Sequence, residues 1–215
     1  MSSATQLLTL AEENKDSFDI DITLTGDIDF FGVQSSRLPV GASSGVCASY
    51  SGHFDGNNYT IKNLNMNGFT IPGLFCDLVN ATISNLVIDS SCDFSGDVAG
   101  ALSPTASGSL SVTNVENHAI VNASKDGGGF VGSVDASFSD SSLSFHRCTN
   151  HGNIFGTTNA GGIVGSMSPK RGRVTILDCE NYGTVTSFSG DNTVFYSAGG
   201  LVASIGDCGS PVVVD

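Results

Sequence analysis

The chain has 215 residues, with 27 Gly, 5 Pro and no Trp, and its 21 acidic against 8 basic side chains leave a net charge of −13. A charged content of only 13% with about twice the usual share of Gly excludes a helical bundle, while 40% hydrophobic residues supply material for one core. The negative field repels phosphate backbones, which argues against nucleic acid as a partner, and no apolar run reaches the roughly 18 residues of a membrane span.

Residues 4–15 carry the one helical pattern: Leu7, Leu8 and Ala11 share an apolar face. A stack of strands exposes an apolar end with free strand edges, so residues 1–20 are expected to close that end as a cap. Downstream, Asp19, Asp21, Asp27 and Asp29 alternate with Ile and Phe, the pattern of strands with acids on the wet face. No secretory signal is legible, because the first basic residue is Lys15 and the stretch Leu7–Ala11 is too short. The final Pro211-Val212-Val213-Val214-Asp215 has no cap of its own, so both ends read as lying within a longer protein with adjoining domains.

From residue 56 onward the chain repeats. Thr60-Ile61-Lys62-Asn63-Leu64 is echoed at 82–86, 111–115, 144–148 and 175–179. A second marker follows each copy: Gly73-Leu74-Phe75, Gly100-Ala101-Leu102, Gly129-Phe130-Val131, Gly162-Ile163-Val164 and Gly200-Leu201-Val202. Short β-branched runs separated by Gly, Asn, Asp and Ser are strand-and-turn chemistry. A module of about 27 residues cannot bury its own apolar side, but stacked copies can. The expected fold is all-β, a stack of parallel strands in about five coils, with residues 1–55 as cap and leading strands and 56–215 as repeats. One inward column is expected from Leu64, Leu86, Val115, Cys148 and Cys179, and another from Ile61, Ile83, Val112, Phe145 and Ile176. The last three units share Cys/Val-x-Asn-x-Gly/Ala, which predicts a side-chain amide ladder of Asn117, Asn150 and Asn181 at a tight corner.

Cys179-x-Asn181-x-Gly183-x-Val185 followed by Ala198-Gly199-Gly200-Leu201-Val202 resembles the GLUG-type repeat of bacterial and protist surface proteins. Gly161-Gly162-Ile163-Val164-Gly165 and Gly128-Gly129-Phe130-Val131-Gly132 match the same element, and Phe54-Asp55-Gly56-Asn57-Asn58-Tyr59-Thr60-Ile61 is similar to the leader of such proteins. The likeness covers roughly residues 5 to 205. It implies a right-handed parallel β-helix (β-solenoid) in a large, often secreted or surface-attached protein. Gly100-Ala101-Leu102-Ser103 departs from it by lacking the closing Gly, as does Ala203 in the last unit.

No convergent reactive set stands out, so no catalytic, cofactor or metal residue is assigned. Asp19/Asp21, Asp27/Asp29 and Asp135/Asp140 are the carboxylate pairs that acid–base or glycosidase work would need, but basic residues are scarce beside them. Asp55-Gly56-Asn57-Asn58 and Ser189-Gly190-Asp191-Asn192 offer oxygen ligands for Ca²⁺ without a recognised calcium-loop spacing, and plain turn chemistry accounts for them. His118 and His151 share one repeat position with Tyr182, which reads as an outward stack rather than a ligand set; His53 and His146 lie elsewhere. Cys47, Cys76, Cys92, Cys148, Cys179 and Cys208 permit three bridges but match no scaffold or zinc spacing, and Cys148 and Cys179 read as buried thiols on consecutive coils. Asn58, Asn80 and Asn122 head Asn-x-Ser/Thr triplets and are glycosylation candidates. Lys170-Arg171-Gly172-Arg173 reads as a loop tip, and Thr184-x-Thr186 is too isolated for a regular Thr lattice. The leading functional expectation is a non-enzymatic stalk or adhesive face meeting other proteins or glycans. A polysaccharide lyase or hydrolase and an intracellular scaffold are the alternatives.

Overall fold

The computed structural model describes residues 1–14, 18–33, 42–43, 46–136, 141–188, 197–206 and 212–214, with 42–43 and 46–47 described by backbone alone. The chain is a parallel β-solenoid of about five turns behind one N-terminal helix. Each turn contributes short strands to several faces. The longest face stacks Ile22–Thr23, His53–Asp55, Thr82–Ile88, Ser109–Asn117, Ser142–His146, Arg173–Leu177 and Val212–Val214. A second face stacks Asp93–Gly96, Ile120–Ala123, Ile154–Gly156 and Val185–Ser187. A third runs from Ser49–Tyr50 through Asp77–Val79, Ser103–Ser107, Val131–Asp135 and Val164–Ser168 to Val202–Ile205. Between the second and third lie the short glycine-rich strands Ala99–Gly100, Asp126–Gly128, Asn159–Gly161 and Ser197–Gly199. These pairs are parallel; Ala42–Ser43 with Val46–Cys47 is antiparallel.

The helix Ala4–Glu13 buries Ala4, Leu7, Leu8 and Ala11 against the first turn, the apolar face expected from the sequence. Its start is fixed locally: Ser3 Oγ accepts from Gln6 N, and Gln6 Oε1 accepts from Ser2 N. The N-terminal amine donates to Thr23 O at 2.7 Å, tying the helix to the first strand.

Register sets the core. Phe54, Ile83, Val112, Phe145 and Ile176 stand over one another, each wholly buried. Three residues on, Leu86, Val115, Cys148 and Cys179 form the next inward column. Two inward residues three apart break a strand's alternation. The reason is a left-handed residue between them: Asn85, Asn114, Arg147 and Asp178 have φ of 52°, 56°, 51° and 52°. That single corner turns the strand and brings the following side chain back to the interior.

Two expected alignments are corrected. Ile61 pairs with Ile88, not Ile83, and Leu64 stands beside Asp93, so Leu64 and Ile61 leave the columns assigned to them. The cause is a turn at Gly56–Tyr59 that inserts two residues into the strand path of that coil: Phe54 pairs with Ile83, 29 residues on, but Ile61 with Ile88, 27 on. Thr60–Leu64 looks like the later copies because it shares their strand followed by a left-handed Asn, here Asn63 at φ 56°. The second correction is one residue wide: Gly100 pairs with Gly128, so Ala101, not Gly100, is the counterpart of Gly129.

Candidate functional site

Immediately after the corner column, Ile28, Ile61 and Ile88 continue into Asn117, Asn150 and Asn181 as one inward column. Asn117 and Asn150 are wholly buried. Asn117 Nδ2 donates to Asn150 Oδ1 at 2.8 Å, and Asn150 Nδ2 donates to Asn181 Oδ1 at 2.7 Å. Each amide also braces its own turn, through Ala119 O, Gly152 O and Gly183 O. The ladder packs against the glycine pairs of the opposite wall. A Cβ on Gly129 would lie 3.0 Å from Asn150 Cγ, and one on Gly162 would lie 2.6 Å from Asn181 Cγ. The Asn motif and the Gly-Gly motif are therefore two halves of one contact.

With Asn117 and Asn150 turned in, their neighbours in the chain turn out. His118 and His151 stack at 4.5 Å between ring centroids with planes 10° apart, and Tyr182 continues the stack at 5.2 Å and 12°. Glu116, two residues before His118, places Oε2 3.3 Å from its Nε2. The Tyr182 hydroxyl donates to Glu180 Oε2 at 2.8 Å, the same relation one coil further from His151. Ile120, Phe155 and Phe188 are also exposed, at 47%, 38% and 74%, and Phe155 stands between Asn122 and Thr186. Next to Asn122 an open groove is lined by Phe69, Thr70, Asp97 and Ser124. The outer side from the end of the longest face into the second thus carries imidazole, phenol, phenyl and carboxylate groups on consecutive coils.

Three of the paired carboxylates, Asp21, Asp27 and Asp29, brace the chain around them. Asp27 accepts from Lys62 Nζ at 2.6 Å and from Thr60 N at 3.0 Å, and these two bonds hold its carboxyl below the usual range. Asp29 accepts from Asn63 Nδ2 and Phe31 N with the same effect. Asp21 accepts from His53 N, and Asp19 is exposed. In the Asp55–Asn58 turn, the Asp55 carboxylate is occupied by Asn85 Nδ2 and Asn57 N, so an oxygen counted toward Ca²⁺ serves the fold. Asp135 is exposed at a strand end, whereas Asp140 and the turn Ser189–Asn192 lie outside the described residues. His53 Nε2 is 3.4 Å from Ser84 Oγ and His146 Nε2 2.9 Å from Asp178 Oδ2, both on the exposed side of the longest face.

Cys148 and Cys179 are free and buried, and the Cys179 sulfur together with burial holds the Cys148 thiol well above its usual range. Cys92 is likewise free, pushed up to about 11 by burial. Cys76 is disulfide-bonded. The side chain of Cys47 and all of Cys208 lie outside the described residues. Asn58, Asn80 and Asn122 are all exposed, although Asn80 Oδ1 accepts from Ser109 N. Lys170, Arg171 and Arg173 are exposed around a turn docked on the preceding coil by Gly172 N donating to Ala136 O, and Thr184 is exposed, with Thr186 two residues on paired to Phe155. Among the described residues no helix is long and apolar enough to cross a membrane. Glu116 beside His118 and His151 is a cluster that the sequence alone did not bring together.

No protein-family model matches the sequence. No curated protein matches it either. Among solved structures the chain is similar to a Bacteroides ovatus protein described as a putative immunoglobulin A1 protease, with a TM-score of 0.75 at 19% identity over 97% of this chain and 62% of that one. At that identity the likeness shows the shared solenoid fold, and this chain spans less than two thirds of its neighbour's length.

Proposed function

We propose that this chain is a non-enzymatic, GLUG-like β-solenoid segment of a secreted or cell-surface protein, a stiff spacer that presents one face for adhesion. The observation that supports this reading is a run of outward aromatic and apolar side chains on consecutive coils: His118, His151 and Tyr182 stacked, with Ile120, Phe155 and Phe188 on the segments that follow them. Aromatic edges and faces flanked by Asn, Thr and carboxylate suit a glycan or a protein surface of mixed polarity. The braced carboxylates count against a lyase or hydrolase, since acids that hold turns are not free to move protons.

A peptidase is the competing reading, suggested by the description of the structural neighbour. His53 and Ser84 would be its base and nucleophile, but no described carboxylate orients the far ring nitrogen of His53. Purified chain on a glycan array and in binding to immobilised surface proteins tests the proposal. Binding lost on Phe155→Ala and Tyr182→Ala supports it. Cleavage of immunoglobulin A1, abolished by Ser84→Ala, would replace it with the peptidase.

A further inference from the structure

We infer that Glu116, His118 and His151 form a binding site for a borderline divalent transition metal such as Zn²⁺, Ni²⁺ or Cu²⁺. One ligand atom from each of the three lies within 4.8 Å of the other two. The arrangement follows from register. Asn117 pairs with Asn150 in the column, so the residues on either side of it face solvent: Glu116 and His118 two apart across the end of one strand, His151 directly across from His118 just past the end of the next. Two imidazole nitrogens and one carboxylate oxygen are a ligand set these ions accept at about 2.0–2.2 Å, with remaining positions left to water or to a partner's donor. The harder Ca²⁺ and Mg²⁺ prefer all-oxygen ligands and are not expected here.

The neighbouring coils limit the site to this pair. Tyr182 replaces His one coil beyond, and its phenol is already engaged by Glu180; Thr149, paired with Glu116, offers no second carboxylate beside His151. Ligation requires the two rings to splay from their nearly parallel stack, because lone pairs on parallel rings point the same way. The side chains are free to do this: those of His118 and Glu116 are 37% and 53% exposed, and His151 is exposed. A net charge of −13 adds a general attraction for cations. The open coordination makes this a site through which the face could grip a donor-bearing partner, but it stands without any assumption about that partner.

The test is calorimetric titration of tag-free protein with ZnCl₂, together with Co²⁺ visible absorption. Wild type is expected to bind one equivalent. His118→Ala and His151→Tyr should each weaken Zn²⁺ at least tenfold, Glu116→Gln several-fold, and His53→Ala and His146→Ala not at all. His151→Tyr repeats the residue that the next coil carries in the same stack, so it removes a ligand while keeping the packing and is informative even if an alanine variant misfolds. Absence of saturable binding by wild type, unchanged binding in His151→Tyr, or a Co²⁺–thiolate charge-transfer band assigning the ion to cysteine would each overturn the assignment.

Discussion

Replacing Asn150 with Ala tests the amide ladder where it is driest. Asn150 receives Asn117 Nδ2 at 2.8 Å and donates to Asn181 Oδ1 at 2.7 Å and Gly152 O at 2.9 Å. Three bonds at about 1 kcal/mol each are lost, and the NH2 group of the wholly buried Asn117 is left with only its 3.3 Å contact to Ala119 O, while Asn117 Oδ1 keeps the bond from Ala119 N. Adding about 1 kcal/mol for that stranded donor gives a destabilisation of about 4 kcal/mol. Asn181→Ala is the internal control, because Asn181 is half-buried and water can serve the groups it abandons. Its cost should be about 1–2 kcal/mol. Urea unfolding followed by circular dichroism, with hydrogen exchange of residues 117–123 to catch coil-by-coil opening, reads the difference. Equal losses for the two variants, or a loss below about 1 kcal/mol for Asn150→Ala, would refute the idea that burial makes this ladder costly to break.

Gly162→Ala should lower the melting temperature sharply, at about 2–3 kcal/mol, because the new methyl meets Gly200 O and Asn181, whereas Gly200→Ala meets nothing within 4 Å and should be close to neutral. The lowered carboxyls of Asp27, Asp29, Asp55, Asp89 and Asp97 contribute stability that is present above their unfolded value and lost as pH falls through the folded one. Unfolding midpoints should therefore decline as the solution is acidified below that unfolded value, and Asp55→Asn should flatten part of the decline; an unchanged acid limb in that variant refutes the assignment. Cys92, Cys148 and Cys179 should resist a thiol reagent in native protein and react on denaturation, and native-state labelling of Cys148 at the rate of a free peptide thiol would contradict its burial.

The columns from residue 82 onward were legible because side chains that stack in space recur in phase along the chain. The first coil was not, since Gly56–Tyr59 adds two residues inside a strand path and a local likeness at Thr60–Leu64 hides the shift. Asn85, Asn114 and Asp178 are residue types that tolerate a left-handed corner, but Arg147 adopts it with no such signal in its chemistry. The switch from Ile88 to Asn117 within one column was hidden for the same reason, an apolar and a polar residue sharing a site that only register reveals. His118 and His151 were visible as equivalents. Glu116 joined them only once the inward Asn117 showed which way its neighbours point.

Among the described residues the parallel strand pairs run between adjacent turns, so a load applied along the stack is borne by each turn separately. Pulled from one end, the protein should give way in discrete steps, peeling like tape from a roll. Steps would differ in size because the offset between equivalent residues grows from 28 at Ser103 and Val131 to 38 at Val164 and Val202, releasing about 90–130 Å of slack apiece. A tethered molecule built this way absorbs shock in instalments while the turns not yet reached keep their grip.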